Sequence, residues 1–147
     1  MQVTLMHHIG TKTILTKRLK LRHFTPEDAD ALYNNWAGDA DTFAFMRMQP
    51  HQTLDDTRRF VTSIIDNYSR LDTYRWVIIL RKTNQPIGFI GLTTISEHDR
   101  TADFGYSIGK AFWNKGYATE ALRAVLYFGL NKAGYNRLEA YHSVRNM

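Results

Sequence analysis

Residues Tyr106–Ala121 carry the clearest chemical signal in the chain. Tyr106-Ser107-Ile108 reads as the end of a strand, Gly109–Gly116 as a loop, and Tyr117 onward as an amphipathic helix. That layout aims backbone N–H groups and a helix N-terminus at one point in space, which suits an anion such as a phosphate. Over Asn114–Thr119, Gly116 lets a backbone approach closely, Ala118 keeps the helix start unobstructed, Thr119 adds a hydroxyl, and Lys115 supplies charge. Spacing alone leaves a bland alternative open, an ordinary glycine-containing loop before a helix.

Two better-known motifs overlap this stretch and both fail on their own mechanics. Gly105-Tyr106-Ser107-Ile108-Gly109 satisfies G-x-S-x-G, but a serine-hydrolase elbow needs its helix to begin directly after the serine. Here a long loop intervenes, and Glu139 and His142 lie three apart on a strand, facing opposite sides. A nucleotide P-loop is excluded because Asn114 stands where its second glycine belongs and Gly116 follows the lysine. The six histidines show no metal-ligand spacing, so no metal is expected.

The elements that must position the loop can be read from periodicity. Residues 13–24 alternate as one strand, with Leu19 and Leu21 on one face and Arg18, Lys20 and Arg22 on the other. Thr25-Pro26-Glu27-Asp28 starts a helix with the apolar stripe Ala29, Leu32, Tyr33 and Trp36, ended by Gly38. Thr53 starts a second, with Phe60, Ile64, Ile65 and Tyr68 as its apolar face. Residues 74–81 and 87–95 form a hairpin, in which Gly88 and Gly91 suggest a bulge or a close backbone approach. Residues 101–108 are the next strand, 117–131 a helix closed by Gly134, and Leu138–His142 begins a last strand. The order β-α-α-β-β-β-α-β predicts an α/β (α+β) domain over 1–147, with a parallel crossover at 101–142.

Composition bounds the class. With 147 residues, 44% hydrophobic, the chain can bury a real core. It has no cysteine, which removes disulfides and a thiol nucleophile and fits a cytoplasmic protein. No apolar run reaches membrane-spanning length. The net charge of +5 resides in Lys12, Lys17, Arg18, Lys20 and Arg22, since residues 1–24 hold no acid and the remainder balances. That balance argues against a broad nucleic-acid-binding face, the less favoured alternative. Residues 23–73 are acid-rich and 104–138 base-rich, so one region favours cations and the other anions, unless these are simply solvated helix faces.

At the loop the sequence resembles the GNAT superfamily of N-acetyltransferases, in its ribosomal-protein (RimJ/RimL-type) branch. The superfamily signature Gln/Arg-x-x-Gly-x-Gly/Ala reads here Trp113-Asn114-Lys115-Gly116-Tyr117-Ala118, which departs at its first position, where an aromatic is common in this branch. Leu15–Asp28 is similar to the branch's T-x-R-L-x-L-R opening, and Pro86–Leu92, Asp103–Tyr106, Leu138-Glu139-Ala140 and Asn146 match in order. The family continues past this point with a last helix and a final hairpin, so the resemblance implies a domain truncated by about three elements.

The resemblance implies a mixed central sheet flanked by helices, with parallel strands at 101–108 and 138–142 that splay apart. Acetyl-CoA would enter the gap, with pantetheine on the backbone of Tyr106, Ser107 and Ile108 and pyrophosphate on the amides of Asn114, Lys115, Gly116, Tyr117, Ala118 and Thr119. Asn146 would add a further cofactor contact. A backbone N–H in the Gly105-x-Ser107 region would polarise the thioester. Glu139 aligns with the base used by one ribosomal-protein acetyltransferase of this superfamily, with Asp103, His142 and water as rivals, and its alternative role is a strand-end carboxylate paired with Arg137. The acceptor would be a primary amine, either a small amine or a protein N-terminus such as a ribosomal protein's. The acidic segment, through Asp39, Asp41, Asp55 and Asp56, would attract that cation. An open strand edge at 138–146 would be covered by homodimerisation or strand exchange. The alternative function is CoA binding without turnover.

Overall fold

The computed structural model describes residues 6–43 and 49–140. Its framework is a six-stranded sheet in the order β1-β2-β3-β4-β5-β6: Ile14–Leu15 (β1), Leu19–Arg22 (β2), Tyr74–Leu80 (β3), Gln85–Ser96 (β4), Thr101–Ile108 (β5) and Arg137–Ala140 (β6). Neighbours run antiparallel except β5 and β6, which are parallel. Short polar turns suffice for the antiparallel pairs, whereas the parallel pair needs a crossover, supplied here by helix α3 (Tyr117–Phe128). The fold is a mixed α/β sheet flanked by helices, as expected.

One element differs from its sequence reading. Residues 13–24 form the two strands β1 and β2, not one, and the chain reverses at Thr16–Arg18. The Thr16 N–H donates to the Leu19 carbonyl at 2.9 Å, and the Leu19 N–H to the Thr16 hydroxyl at 3.0 Å, closing the turn. Alternation has the same period on both arms of a tight hairpin, so it cannot reveal the reversal. Leu19 and Leu21 are fully buried, but Arg18 sits at the corner of the turn instead of in a row with Lys20 and Arg22.

Strand β3 is buried on both faces and reads accordingly as a near-continuous apolar run. Trp76 and Ile78 join Leu19, Leu21 and α3's Ala121, Val125 and Phe128 on one side. Val77 and Ile79 pack on the other side against Phe24, Leu32, Trp36 and Val61. That second layer is made by α1 (Ala29–Leu32) and α2 (Leu54–Asp66). A 3-10 turn at Pro26–Asp28 leads into α1, and a π turn at Tyr33–Ala37 leaves it, so the expected first helix is continuous but irregular. In α2 the buried face is Thr57, Val61 and Ile64, with Phe60 and Ile65 at its margin, so the stripe is rotated from the one expected. Gly88 makes the close approach its position suggested: a Cβ there would lie 2.2 Å from the Ser107 carbonyl oxygen of β5.

Candidate active site

Strand β5 pairs with β4 over its whole length and, among the described residues, with β6 over its first half. Its ladder with β6 runs from Thr101↔Arg137 to Phe104↔Ala140, and residues 141–147 lie outside the described residues. On the β4 side the Gly109 N–H donates to the Ile87 carbonyl at 2.9 Å, extending the register Gly88↔Ile108 and Phe89↔Ser107. Antiparallel pairing alternates direction residue by residue. Gly105 and Ser107 therefore spend their backbone groups on β4, while Tyr106 and Ile108 turn theirs to the opposite edge. Of the Gly105-x-Ser107 stretch, the central residue is the one whose N–H faces outward.

Past β5 the chain makes a 3-10 turn at Lys110–Phe112 and folds back on itself. The Trp113 indole N–H donates to the outward-facing Ile108 carbonyl at 2.6 Å. Asn114 and Gly116 both have positive φ, +63° and +82°. Glycine takes the second at no steric cost and forms the N-cap of α3. The first amides of α3 have no intrahelical acceptor. Together these pieces enclose a cavity of about 330 Å³. Tyr106, Ser107, Ile108, Asn114, Gly116, Tyr117, Ala118 and Thr119 all line it, as do Trp113 at the head of the signature and Thr42 and Phe112, which the sequence did not single out. Lys115 is not in the lining; its carbonyl instead accepts from Arg18 Nη1 at 2.7 Å. Asn146 and His142 lie outside the described residues.

The floor of the cavity is rigid. Trp36 Nε1 donates to Ser107 Oγ at 2.7 Å in a fully buried contact, tying the π turn after α1 to β5. This is no hydrolase elbow, since the serine hydroxyl is buried under an indole and its strand does not run directly into a helix. The Thr42 hydroxyl donates to Asp39 and accepts from the Lys110 N–H, each at 3.0 Å, bracing the start of the loop.

The carboxylates fall into two groups. Asp103 and Glu139 are paired in the β5–β6 register, so they stand side by side on the sheet face that also carries Ser107. Glu139 is held by Arg137 at 2.6 Å, the alternative role that its strand-end position allowed. Asp103 has no ion-pair or hydrogen-bond partner among the described residues. The acids of segment 23–73 are largely engaged locally: Asp28 with Arg22, Asp41 with Lys110, Asp55 with Arg58, Asp56 with Arg59 and Asp72 with Arg70. Two bases of the opening strands are likewise neutralised within the fold, Arg22 by Asp28 and Arg18 by Glu120.

Histidines serve the scaffold. His8 bridges the Tyr74 hydroxyl (2.7 Å) and Glu97 (2.6 Å), His23 stacks on Tyr68 with centroids 3.8 Å apart, and His51 meets the Thr57 hydroxyl at 2.8 Å. Among the described residues no three candidate ligands cluster to hold a metal, and no helix is long and apolar enough to cross a membrane.

Residues 18–147 match the family model of the acetyltransferase (GNAT) domain. The chain belongs to the GNAT acetyltransferase family. It is 32% identical over 129 residues to p20 of Bacillus licheniformis, an uncharacterized N-acetyltransferase, covering 88% of this chain and 72% of that protein. Among solved structures, a GNAT-family acetyltransferase from Bacillus anthracis superposes with a TM-score of 0.74 at 27% identity, over 88% of this chain and 72% of that one. The ribosomal L7/L12 α-N-protein acetyltransferase RimL superposes with a TM-score of 0.77 at 18% identity, over 92% and 74%, a likeness of fold.

As a GNAT acetyltransferase the protein has acetyl-CoA as its implied co-substrate. The residues present fit such a ligand. An open strand edge offers N–H and C=O groups to an amide-bearing chain, and a positive-φ glycine exposes helix N-terminal amides to a diphosphate.

Proposed function

We propose that this GNAT acetyltransferase transfers the acetyl group of acetyl-CoA to a primary amine by direct attack in a ternary complex. One observation carries the reading. The outward backbone of Tyr106 and Ile108, the Gly116 turn and the first amides of α3 converge on one cavity. Pantetheine lies along Tyr106–Ile108 as an added strand, and the pyrophosphate rests on the amides of Asn114–Thr119. The Ile108 carbonyl is already taken by Trp113, so the groups on that edge without a partner among the described residues are the Tyr106 N–H and C=O and the Ile108 N–H.

The Tyr106 N–H is the donor that polarises the thioester carbonyl and stabilises the developing oxyanion. A neutral amine forms the new C–N bond as the C–S bond breaks and CoA leaves as the thiolate. The amine's proton must pass to a base. Asp103 is three residues from Tyr106, about 10 Å along the strand, so it accepts that proton through water. Glu139, neutralised by Arg137, assists by position. His142 is a rival on the sequence alone.

The acceptor we favour is a protein N-terminus of the kind used by ribosomal-protein acetyltransferases. The opening motif Leu15–Asp28 supports this, as does the fold shared with RimL. Strand β6, last in the sheet order, is the edge through which two copies would pair as a homodimer. The test is thiol release from acetyl-CoA with a panel of amines and N-terminal peptides, alongside a thermal shift with acetyl-CoA. Turnover with at least one amine supports the reading. A thermal shift without thiol release for any amine leaves a CoA-binding protein and overturns the proposed transfer.

A further inference from the structure

The turn between β1 and β2 reaches across the molecule to the far side of the phosphate-facing loop. Glu120, in the first helical turn of α3, is gripped there by three donors. Its Oε2 accepts from the Thr16 hydroxyl at 2.5 Å and the Arg18 backbone N–H at 2.8 Å, and its Oε1 accepts from Arg18 Nε at 2.7 Å. The same guanidinium sends Nη1 to the Lys115 carbonyl at 2.7 Å and stacks over the Tyr117 ring with its carbon 4.5 Å from the centroid. Gly116 lies against it, since a Cβ there would be 3.1 Å from Nη2. One side chain thus contacts Lys115, Tyr117 and Glu120, from about a hundred residues away in sequence.

Two physical consequences follow for an anion on the other side of the loop. A carboxylate in the first turn of a helix favours the helix itself but opposes a bound diphosphate, because both draw on the same positive end. Arg18 supplies the missing counter-charge and holds it in a multiply bonded pair. The peptide between Lys115 and Gly116 is planar and trans, so fixing the Lys115 carbonyl on Arg18 points the Gly116 N–H the opposite way. Gly116 lines the cavity on one side of the loop and a shallow groove with Arg18 on the other.

We propose that Arg18 is a positioning residue for acetyl-CoA binding: it neutralises Glu120 beneath the diphosphate and sets the orientation of the Gly116 amide. This rests on the reading of the cavity as the acetyl-CoA site. Arg18 touches no reacting atom, so its effect belongs in affinity for CoA and not in the chemical step.

Calorimetric titration of the full chain with CoA, paired with melting temperatures, tests this on wild type, Arg18→Gln, Arg18→Lys and the double variant Arg18→Gln/Glu120→Gln. A charge-assisted bond removed beside a retained carboxylate should weaken CoA binding by about tenfold or more in Arg18→Gln. The double variant, with the opposing charge also gone, should recover part of that loss although it has fewer bonds than wild type. Arg18→Lys, which keeps the charge but not the fork, should fall between wild type and Arg18→Gln and covers the case in which Arg18→Gln does not fold. Wild-type affinity in Arg18→Gln or Arg18→Lys, or a double variant that binds no better than Arg18→Gln, overturns the proposal while leaving the CoA site intact. A wild-type chain that does not bind CoA overturns both.

Discussion

The indole of Trp113 donates to the carbonyl of Ile108 at 2.6 Å, so the last outward carbonyl of β5 is capped by the loop that follows it. This bond fixes where the strand ends and the Gly109–Gly116 loop begins. It also gives a physical role to the one position at which the loop departs from the superfamily's Gln/Arg. Trp113→Phe keeps the ring and loses the donor, at a cost of about 1 kcal/mol. The acetyl-CoA KM should rise about fivefold with kcat little changed. An unchanged KM would mean that the bond does not shape the site.

Glycine at 88 and 116 serves two different needs, and substitution separates them. Gly88→Ala drives a Cβ into the Ser107 carbonyl of the neighbouring strand, so it should lower the melting temperature sharply. Gly116→Ala must hold an alanine at φ +82°, costing about 1–2 kcal/mol. That cost falls on the loop, so CoA affinity should drop more than global stability. Equal losses in the two variants, by calorimetry and thermal melts, would contradict this division.

Acid should destabilise the packing of α2 in two steps. Burial pushes the His51 imidazole below its ordinary range, partly offset by the charge of Asp56. A histidine depressed in the fold contributes fully above its unfolded pKa of about 6.5, and its contribution is lost as pH falls from there toward the lower folded value. Asp56, lowered first by the Thr53 backbone N–H that it accepts as a cap, keeps its contribution above its ordinary value and loses it as pH falls through the depressed one. Urea midpoints should therefore decline below about pH 6.5 and again in the acid range. His51→Gln should remove the first decline only. A flat profile between pH 8 and 5 in wild type would contradict the assignment.

Asp103 and Glu139 stand side by side, and among the described residues only Glu139 has an arginine on it. Asp103→Asn should lower kcat by roughly 10²-fold with the acetyl-CoA KM unchanged, and Glu139→Gln by less. The reverse order, read from pH–rate profiles of the two variants, would move the proton-accepting role to Glu139.

Much of this architecture was legible because local patterns and tertiary needs agree. Strand β5 begins and ends where alternation and Gly109 place it, and α3 begins after Gly116, whose positive φ a glycine takes at no steric cost. The Arg18 turn was not legible, since period-two alternation survives a tight reversal and a long-range ion pair leaves no local pattern. The rotation of α2 has a similar origin. Phe60 and Ile65 are the larger apolar side chains, yet the narrow layer over Val77 and Ile79 buries Thr57 and Val61 instead. Residues 23–73 hold nine acids against four arginines, and from outside the segment Arg22 and Lys110 take up part of that excess, on Asp28 and Asp41.

The proposed function places acetyl-CoA in one cavity between β5 and α3, and a difference map from crystals grown with acetyl-CoA is its sharpest test. Diphosphate density is expected within hydrogen-bond reach of the amides at the Gly116 turn and the start of α3, with a thioester carbonyl facing the Tyr106 N–H. Ligand density elsewhere on the chain, or a diphosphate remote from that turn, would contradict it.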